Sequence, residues 1–284
     1  MQYREDKGRF NVTTATLPIG VFDSGVGGLT ILKELWRELP HESFIYFGDT
    51  SHCPYGRRSE SEIQQLTLAA VSFLVSRGVR AIVVACNTAS QAALNLLRAT
   101  YDLPFIGVVP PVKPAVEQSR CGRVGVATTD QAAHSPYLRN LIARYANGAR
   151  VYPIGCSPLV TLVEAGQLSG ETVEEAVRTC LHPLLEAGID VLALGCTHFP
   201  ALRPIIQHVV GSEVTIIDSG AAVARQTHRV LLAHSGLQSP TDAVSPSHEF
   251  WCSGDPQSFS TVASAILGKP ITARQATDLL SRSR

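Results

Sequence analysis

Two cysteines stand at matching corners of this 284-residue chain, 110 residues apart: Cys86 in "AIVVACNTAS" (81–90) and Cys196 in "VLALGCTHFP" (191–200). Each closes a short apolar run that reads as a buried strand, and each is followed directly by a helical pattern. A thiol at a helix N-terminus meets the positive end of the helix dipole, so the spacing predicts acidified thiols at both corners. Asn87, Thr88 and Thr197 add short hydrogen-bonding side chains, and the free backbone N–H groups of such turns suit a small anion such as a carboxylate. His198, two residues past Cys196, is placed to tune that thiol. Cys-x-His is also a fragment of a zinc site, but no further ligands are spaced to complete it.

Pairing two such corners narrows the chemistry. Hydrolysis through a cysteine nucleophile needs one thiol and a base, which leaves the second thiol unexplained. Inverting a stereocentre needs a base on one face of a carbon and an acid on the other, and two equivalent thiols supply both. No lysine is placed to form a Schiff base. Lys7 lies in the N-terminal tail, Lys33 on a helical run, and Lys113 and Lys269 each precede a proline.

A third corner, Asp23-Ser24-Gly25-Val26-Gly27-Gly28, has the glycine content of a nucleotide loop, with Asp49 downstream at a ribose-contact distance. Thr30 occupies the third glycine position, however, and Asp23 would set a carboxylate beside the pyrophosphate. The competing reading is a tight turn that simply needs glycine. An NAD-linked oxidoreductase and a cysteine hydrolase of a small amino-acid-like substrate therefore stand as alternatives, as does a non-catalytic two-lobed amino-acid-binding protein.

The elements that must carry these corners alternate along the chain, strand then helix, which predicts an α/β fold with mostly parallel sheets covered on both faces. "PIGVFDSG", "SFIYFGD", the Cys86 run and "LPFIGVV" read as four strands. Between the first two lies a helix with Leu29, Leu32, Leu35, Trp36 and Leu39 on one face. Ser59 and Glu62 form a capping box for a helix carrying Ile63, Leu66, Ala70, Phe73 and Leu74. The breaker cluster "PPVKPA" (110–115) marks a crossover. The alternation then restarts with "GRVGVATT", a helix at 136–146, "ARVYPIG", a helix at 171–187, "DVLALG", a helix at 201–210 and "EVTIID". The two halves match in plan, so the expectation is two similar doubly wound domains with the active site in the cleft between them. The boundaries are an N-terminal extension at 1–17, a first domain of 18–109 plus 221–284, and a second of 110–220. The C-terminal "HEFWCSG" strand then returns to the first domain.

Composition restricts the partners. Lysine plus arginine (24) balances aspartate plus glutamate (24), which leaves no footprint for nucleic acid or an anionic membrane. Charged residues are 17%, against about 25% in ordinary soluble proteins. The longest apolar runs fall well short of the roughly 20 residues of a membrane helix. "MQYREDKGRFNVTTATLP" has no apolar core of the kind a signal peptide needs, so the expected location is the cytoplasm, with reduced thiols. None of the seven cysteines lies closer than 16 residues to the next. Cys121, Cys180 and Cys252 read as small buried hydrophobes.

"FDSGVGGL", "PYG", "VVACNTAS", "GCTHFP" and "DSGAAVA" together resemble the glutamate racemases of bacterial cell-wall synthesis, over about residues 18–235 and in that family's order. The aspartate racemases share the fold and the two cysteines, but "DSGVGG" and "CTHFP" fit the glutamate branch better. The resemblance implies cofactor-independent interconversion of L- and D-glutamate by two-thiol proton transfer, supplying D-glutamate for peptidoglycan, with no metal. Cys86 and Cys196 would be the acid/base pair, with Asp23 assisting near the first and His198 near the second. Asp23, Ser24, Tyr55, Gly56, Asn87, Thr88, Thr197 and His198 would hold the amino acid, with Glu164 of "TLVEAG" close by. The family commonly forms homodimers, and the N-terminal extension looks like that of members activated by a muramyl precursor. Two positions depart from the pattern. Ala132 stands where a Thr-x-x-Thr pair beginning at Thr129 would end, and Thr161 stands where a proline or polar variant is common.

Overall fold

The computed structural model describes residues 17–234, 236–237 and 245–277; the N-terminal extension up to residue 16 lies outside them. The first sheet is built from β1 (Ile19–Asp23), β2 (Phe44–Gly48), β3 (Ala81–Val84), β4 (Phe105–Gly107), β9 (His248–Cys252) and β10 (Arg274–Gln275), in the order β10-β9-β2-β1-β3-β4. The second holds β5 (Arg123–Thr128), β6 (Arg150–Gly155), β7 (Val191–Leu194) and β8 (Thr215–Ile217), in the order β6-β5-β7-β8. Among the described residues every strand pairing is parallel. β1, β2, β3 and β7 are buried along their whole length, as parallel strands covered on both faces must be.

The two sheets repeat one topology. The orders β2-β1-β3-β4 and β6-β5-β7-β8 are the same path, and in each the strand order reverses between the first strand and the third. Such a reversal opens a crevice at the carboxyl ends of the two strands concerned. Those ends are Asp23 and Val84 in one sheet, and Thr128 and Leu194 in the other. The glycine loop and both corner cysteines begin there. β9 pairs with β2, so the C-terminal segment does return to the first sheet.

Helix α1 (Leu29–Glu38) buries Leu29, Ile31, Leu32 and Leu35, with Leu39 at its end. Trp36 is only half-buried and stacks on His248 at 4.8 Å. α2 (Glu60–Ser76) carries both halves of the Ser59–Glu62 capping box, and α3 (Asn87–Thr100) follows Cys86 directly. α4 (Val112–Gln118) forms inside the stretch read as a breaker, because Pro114 falls in the first turn, where helix N–H groups have no partner anyway. α5 (Asp130–Ala133) and α7 (Ser157–Glu164) are too short to leave a periodic signal. α6 (Pro136–Tyr145) and α8 (Glu171–Glu186) lie where the pattern put them. The run at 201–210 is instead a 3₁₀ turn, Phe199–Leu202, leading into α9 (Arg203–Val210). α10 (Gly220–His234) packs on α1, and α11 (Pro256–Leu267) completes the first unit. Cys252 is buried and Cys180 half-buried, but Cys121 is exposed: it sits in the turn before β5, where its N–H bonds to Asp190.

His248 makes stability depend on acid. Burial and the nearby Lys269 hold its imidazole down to about 4 from an ordinary 6.5. The unfolded chain therefore takes up this proton near pH 6.5 and the folded chain only near 4. Its contribution is complete above pH 6.5 and lost as pH falls through that window, at no more than about 3 kcal/mol for a part-exposed ring. Urea unfolding at pH 7 and at pH 4.5 checks this. His248→Gln is expected to lose less stability than the parent between the two pH values; an equal loss removes His248 as the cause.

Candidate active site

Cys86 is the N-cap of α3, and its Sγ accepts the Ala89 N–H at 3.5 Å and lies 3.4 Å from Ser24 Oγ. The helix end is there as the sequence indicates, but the expected acidification is not. Burial, reinforced by the Asp23 carboxylate, pushes the thiol up to about 12. Loss of hydration outweighs the dipole and two hydrogen bonds. At neutral pH the resting side chain is a thiol, ready to give a proton.

Cys196 departs from expectation in a different way. No α-helix starts at its corner, since the backbone passes through the 3₁₀ turn first. Its partner is a side chain: Cys196 Sγ lies 3.6 Å from His198 Nδ1, and His198 Nε2 lies 2.5 Å from Glu164 Oε1. Burial alone would lower the imidazole pKa, but hydrogen bonds to Cys196, Cys53 and Glu164 reverse that and raise it well above its usual value. A charged imidazolium thus stands beside the Cys196 thiol.

Glu164 closes α7 and reaches across to the glycine loop, where Oε1 accepts the Val26 N–H at 2.8 Å. This contact explains the glycines. A Cβ on Gly25 would sit 2.0 Å from Glu164 Oε1, and one on Gly27 would sit 2.5 Å from His198 Nδ1. The loop needs glycine because the second unit's side chains press against its backbone. The space a pyrophosphate would need is filled by Glu164 and His198. Thr30, which spoils the nucleotide pattern, donates from Oγ1 to Thr197 O at 2.9 Å and ties the units together. Asp49 turns away to Tyr55 and His52. The NAD-linked reading is therefore not supported. A lone-nucleophile hydrolase fares no better, because both thiols border one cavity.

That cavity is lined by Ser24, Tyr55, Gly56, Cys86, Asn87, Thr88, Thr197 and His198, together with Cys196, Thr128 and Thr129. Asp23 is not on its wall. It lies fully buried behind it, accepting the Gly25 N–H at 2.9 Å and Thr197 Oγ1–H at 3.2 Å. Burial raises its carboxyl above the usual range, against the opposing charge of His198. Tyr55 lines the cavity, but its hydroxyl donates to Asp49 Oδ2 at 2.6 Å. Asn87 Oδ1 and Thr129 Oγ1 are buried with no hydrogen-bond partner among the described residues, a cost that a polar ligand would relieve.

Ala132 borders an outer recess with Gln91, Thr129 and Ser135, and is absent from the inner wall. A hydroxyl there adds at most one neutral hydrogen bond, worth about 1 kcal/mol. Ala132→Thr is expected to leave turnover nearly unchanged and to move KM less than about tenfold. Steady-state kinetics decides, and a gain of several hundredfold in turnover would contradict the placement. Sequence reasoning missed Cys53, Thr128 and the buried Tyr46, whose hydroxyl donates to Gly25 O at 2.8 Å. None lies in a periodic or spaced motif that marks it.

The family model described as Asp/Glu/Hydantoin racemase matches residues 24–227. The glutamate racemase of Herpetosiphon aurantiacus is 47% identical over 249 residues, 88% of this chain and 97% of its own. The crystal structure of glutamate racemase isoform RacE1 from Bacillus anthracis superposes with a TM-score of 0.84 at 36% identity, covering 93% of this chain and 99% of that one. Glutamate racemase from Escherichia coli, solved in complex with L-glutamate and the activator UDP-MurNAc-Ala, gives 0.81 at 33% identity, covering 91% and 97%. With the twin sheets and the shared two-thiol cavity, these matches place the chain in the Asp/Glu/hydantoin racemase family, among its glutamate racemases.

Proposed function

We propose that the chain interconverts L- and D-glutamate by direct proton transfer at Cα, with Cys86 and Cys196 as the two acid/base groups. One observation carries this: two thiols, delivered by the equivalent corners of two equivalent sheets, line the same cavity. For L-glutamate, Cys196 removes the Cα proton while the resting thiol of Cys86 supplies another from the opposite side; D-glutamate uses the reverse roles. His198, fixed by Glu164, is a positioning residue that holds positive charge beside Cys196. Asp23 is also a positioning residue, orienting Thr197 and the Gly25 peptide from behind the wall. As the proton leaves, charge builds on the substrate carboxylate. Asn87, Thr88, Thr197 and nearby backbone N–H groups are the donors for it in a cleft with little water.

Two domains, 18–109 with 221–284 and 110–220, close on this cleft in our reading, which the separate sheets support. D-glutamate made here would feed peptidoglycan, in the cytoplasm, and the working unit would be a homodimer. Activation by a muramyl precursor is consistent with the complex of the E. coli relative with the activator UDP-MurNAc-Ala. Among the described residues no helix is long and apolar enough to cross a membrane.

The test uses circular dichroism of L-glutamate with dialysed, chelator-treated enzyme and nothing else added. Optical activity is expected to decay to zero. A signal that stays constant, or that decays only after pyridoxal phosphate, nicotinamide or a metal is restored, overturns the reading.

A further inference from the structure

A third thiol stands beside the Glu164–His198 pair, and proton transfer gives it no task. Cys53 is half-buried in the loop after β2, and burial holds its thiol up near 11. Its Sγ, a Glu164 carboxylate oxygen and a His198 ring nitrogen all lie within 4.8 Å of one another. The donors come from three separate segments: the loop after β2, the end of α7 and the corner after β7. A thiolate, an imidazole and a carboxylate form a mixed S, N, O set. That set suits Zn²⁺ and its relatives, and suits the oxygen-seeking Mg²⁺ or Ca²⁺ poorly.

The geometry is near what such an ion needs. Bonds of about 2.0–2.3 Å in a tetrahedron separate neighbouring donor atoms by roughly 3–4 Å. The three donors reach that spacing by small side-chain movements, with the ion taking the place of the proton between Glu164 and His198. Supporting contacts already exist. Glu164 is steadied by the Val26 N–H at 2.8 Å, and His198 Nδ1 faces Cys196 Sγ at 3.6 Å. A metal-bound imidazole characteristically directs its second ring N–H to such an acceptor. Glu164 has a side chain 19% exposed, and Cys53 is also part-exposed, so an ion can reach the cluster.

We propose that Cys53, Glu164 and His198 form a binding site for a thiophilic divalent cation of the Zn²⁺ class, and that its occupation inhibits the enzyme. Binding releases two protons, one from the Cys53 thiol and one from His198, and forms bonds to Sγ, Nε2 and a Glu164 oxygen. The inhibitory half of the proposal rests on the proton-transfer reading above. Drawing Cys53, Glu164 and His198 onto one ion moves the imidazole that faces Cys196 Sγ at 3.6 Å, and so disturbs the alignment of that thiol with Cα. Both directions of racemisation use Cys196 once as base or once as acid, so both are blocked.

Co²⁺ is the probe for the site and Zn²⁺ the probe for inhibition, both with reduced, metal-stripped full-length protein. Co²⁺ is expected to bind one per chain, with visible bands of a tetrahedral centre and a near-ultraviolet thiolate-to-cobalt band. Cys53→Ser should abolish the thiolate band, and Glu164→Gln should weaken cobalt binding by at least about tenfold. Zinc inhibition, read as the activity ratio with and without zinc within each variant, should require at least about tenfold more zinc in Cys53→Ser. A thiolate band that survives Cys53→Ser and disappears in Cys196→Ser assigns the ion to the catalytic thiol and overturns the site. Cobalt spectra with octahedral bands and no thiolate band overturn it as well. Normal cobalt binding by a protein that does not racemise glutamate leaves the site standing and defeats the reaction reading instead.

Discussion

Alanine in place of Cys86 or of Cys196 is expected to lower racemisation at least about a thousandfold, from either enantiomer and with either substitution. Each direction consumes one thiol as base and the other as acid, so neither loss is confined to one direction. The two thiols border a single cavity but reach it from different sheets, so neither stands in for the other. Isotope labelling separates this mechanism from a single base serving both faces. In D₂O the product enantiomer should carry solvent deuterium at Cα from its first appearance, while recovered substrate stays protiated. A single base would return some of the original hydrogen to product, or wash label into both enantiomers equally. Substantial racemisation by either alanine variant would falsify the two-thiol mechanism. Early label in substrate, at the rate seen in product, counts equally against it.

The parts of this site that were legible in the sequence share a local cause. A corner cysteine after an apolar strand is visible because strand, turn and helix patterns adjoin it, and the repeat of that pattern suggested twin units. The twin strand orders bear out the expected architecture. What could not be read are contacts that join distant segments. Glu164 bonds to Val26 across 138 residues, and no local pattern encodes that. Cys53 is a lone cysteine before a proline until folding sets it beside His198. The electrostatics also needed the fold. The helix end at Cys86 is a sequence property, but the burial that pushes its thiol up to about 12 belongs to the packing. At Cys196 a 3₁₀ turn and a helix show the same short apolar spacing, so the residue pattern does not tell them apart.

The glycine loop provides the second large effect: it does form a tight turn, with Thr30 N–H bonded to Gly27 O, but what demands glycine there is the packing of Glu164 and His198 against it. On Gly27 a Cβ would lie 2.5 Å from His198 Nδ1, 2.7 Å from His198 Cε1 and 2.7 Å from Thr197 Oγ1. All three are well inside normal contact, so something must move. His198 has little room to yield: it is 3% exposed and is fixed by Glu164 at 2.5 Å. Thr197 is tied to Asp23 through its hydroxyl and to Thr30 through its carbonyl. The added methyl must therefore tilt the imidazole away from Cys196 or push the two units apart, and either change spoils the alignment of acid, base and Cα. A misplacement of about 1 Å costs roughly a hundredfold in rate. Gly27→Ala is accordingly expected to lower kcat/KM by at least about a hundredfold, with most of the loss in kcat. Overpacking also costs stability, about 1–3 kcal/mol, so a control is needed. Gly254 supplies one, because a Cβ there would lie 2.6 Å from Thr50 Oγ1, with Ser51 Oγ next at 3.4 Å, crowded at one contact and absent from the cavity wall. Gly254→Ala should lose stability within the overpacking range and keep kcat within about threefold. Gly25→Ala, whose Cβ would lie 2.0 Å from Glu164 Oε1, should behave like Gly27→Ala. If Gly27→Ala and Gly254→Ala lose turnover equally, the loop glycines serve only the packing. If Gly27→Ala alone loses turnover, the close approach of the first unit's backbone to His198 is what holds that imidazole in working position.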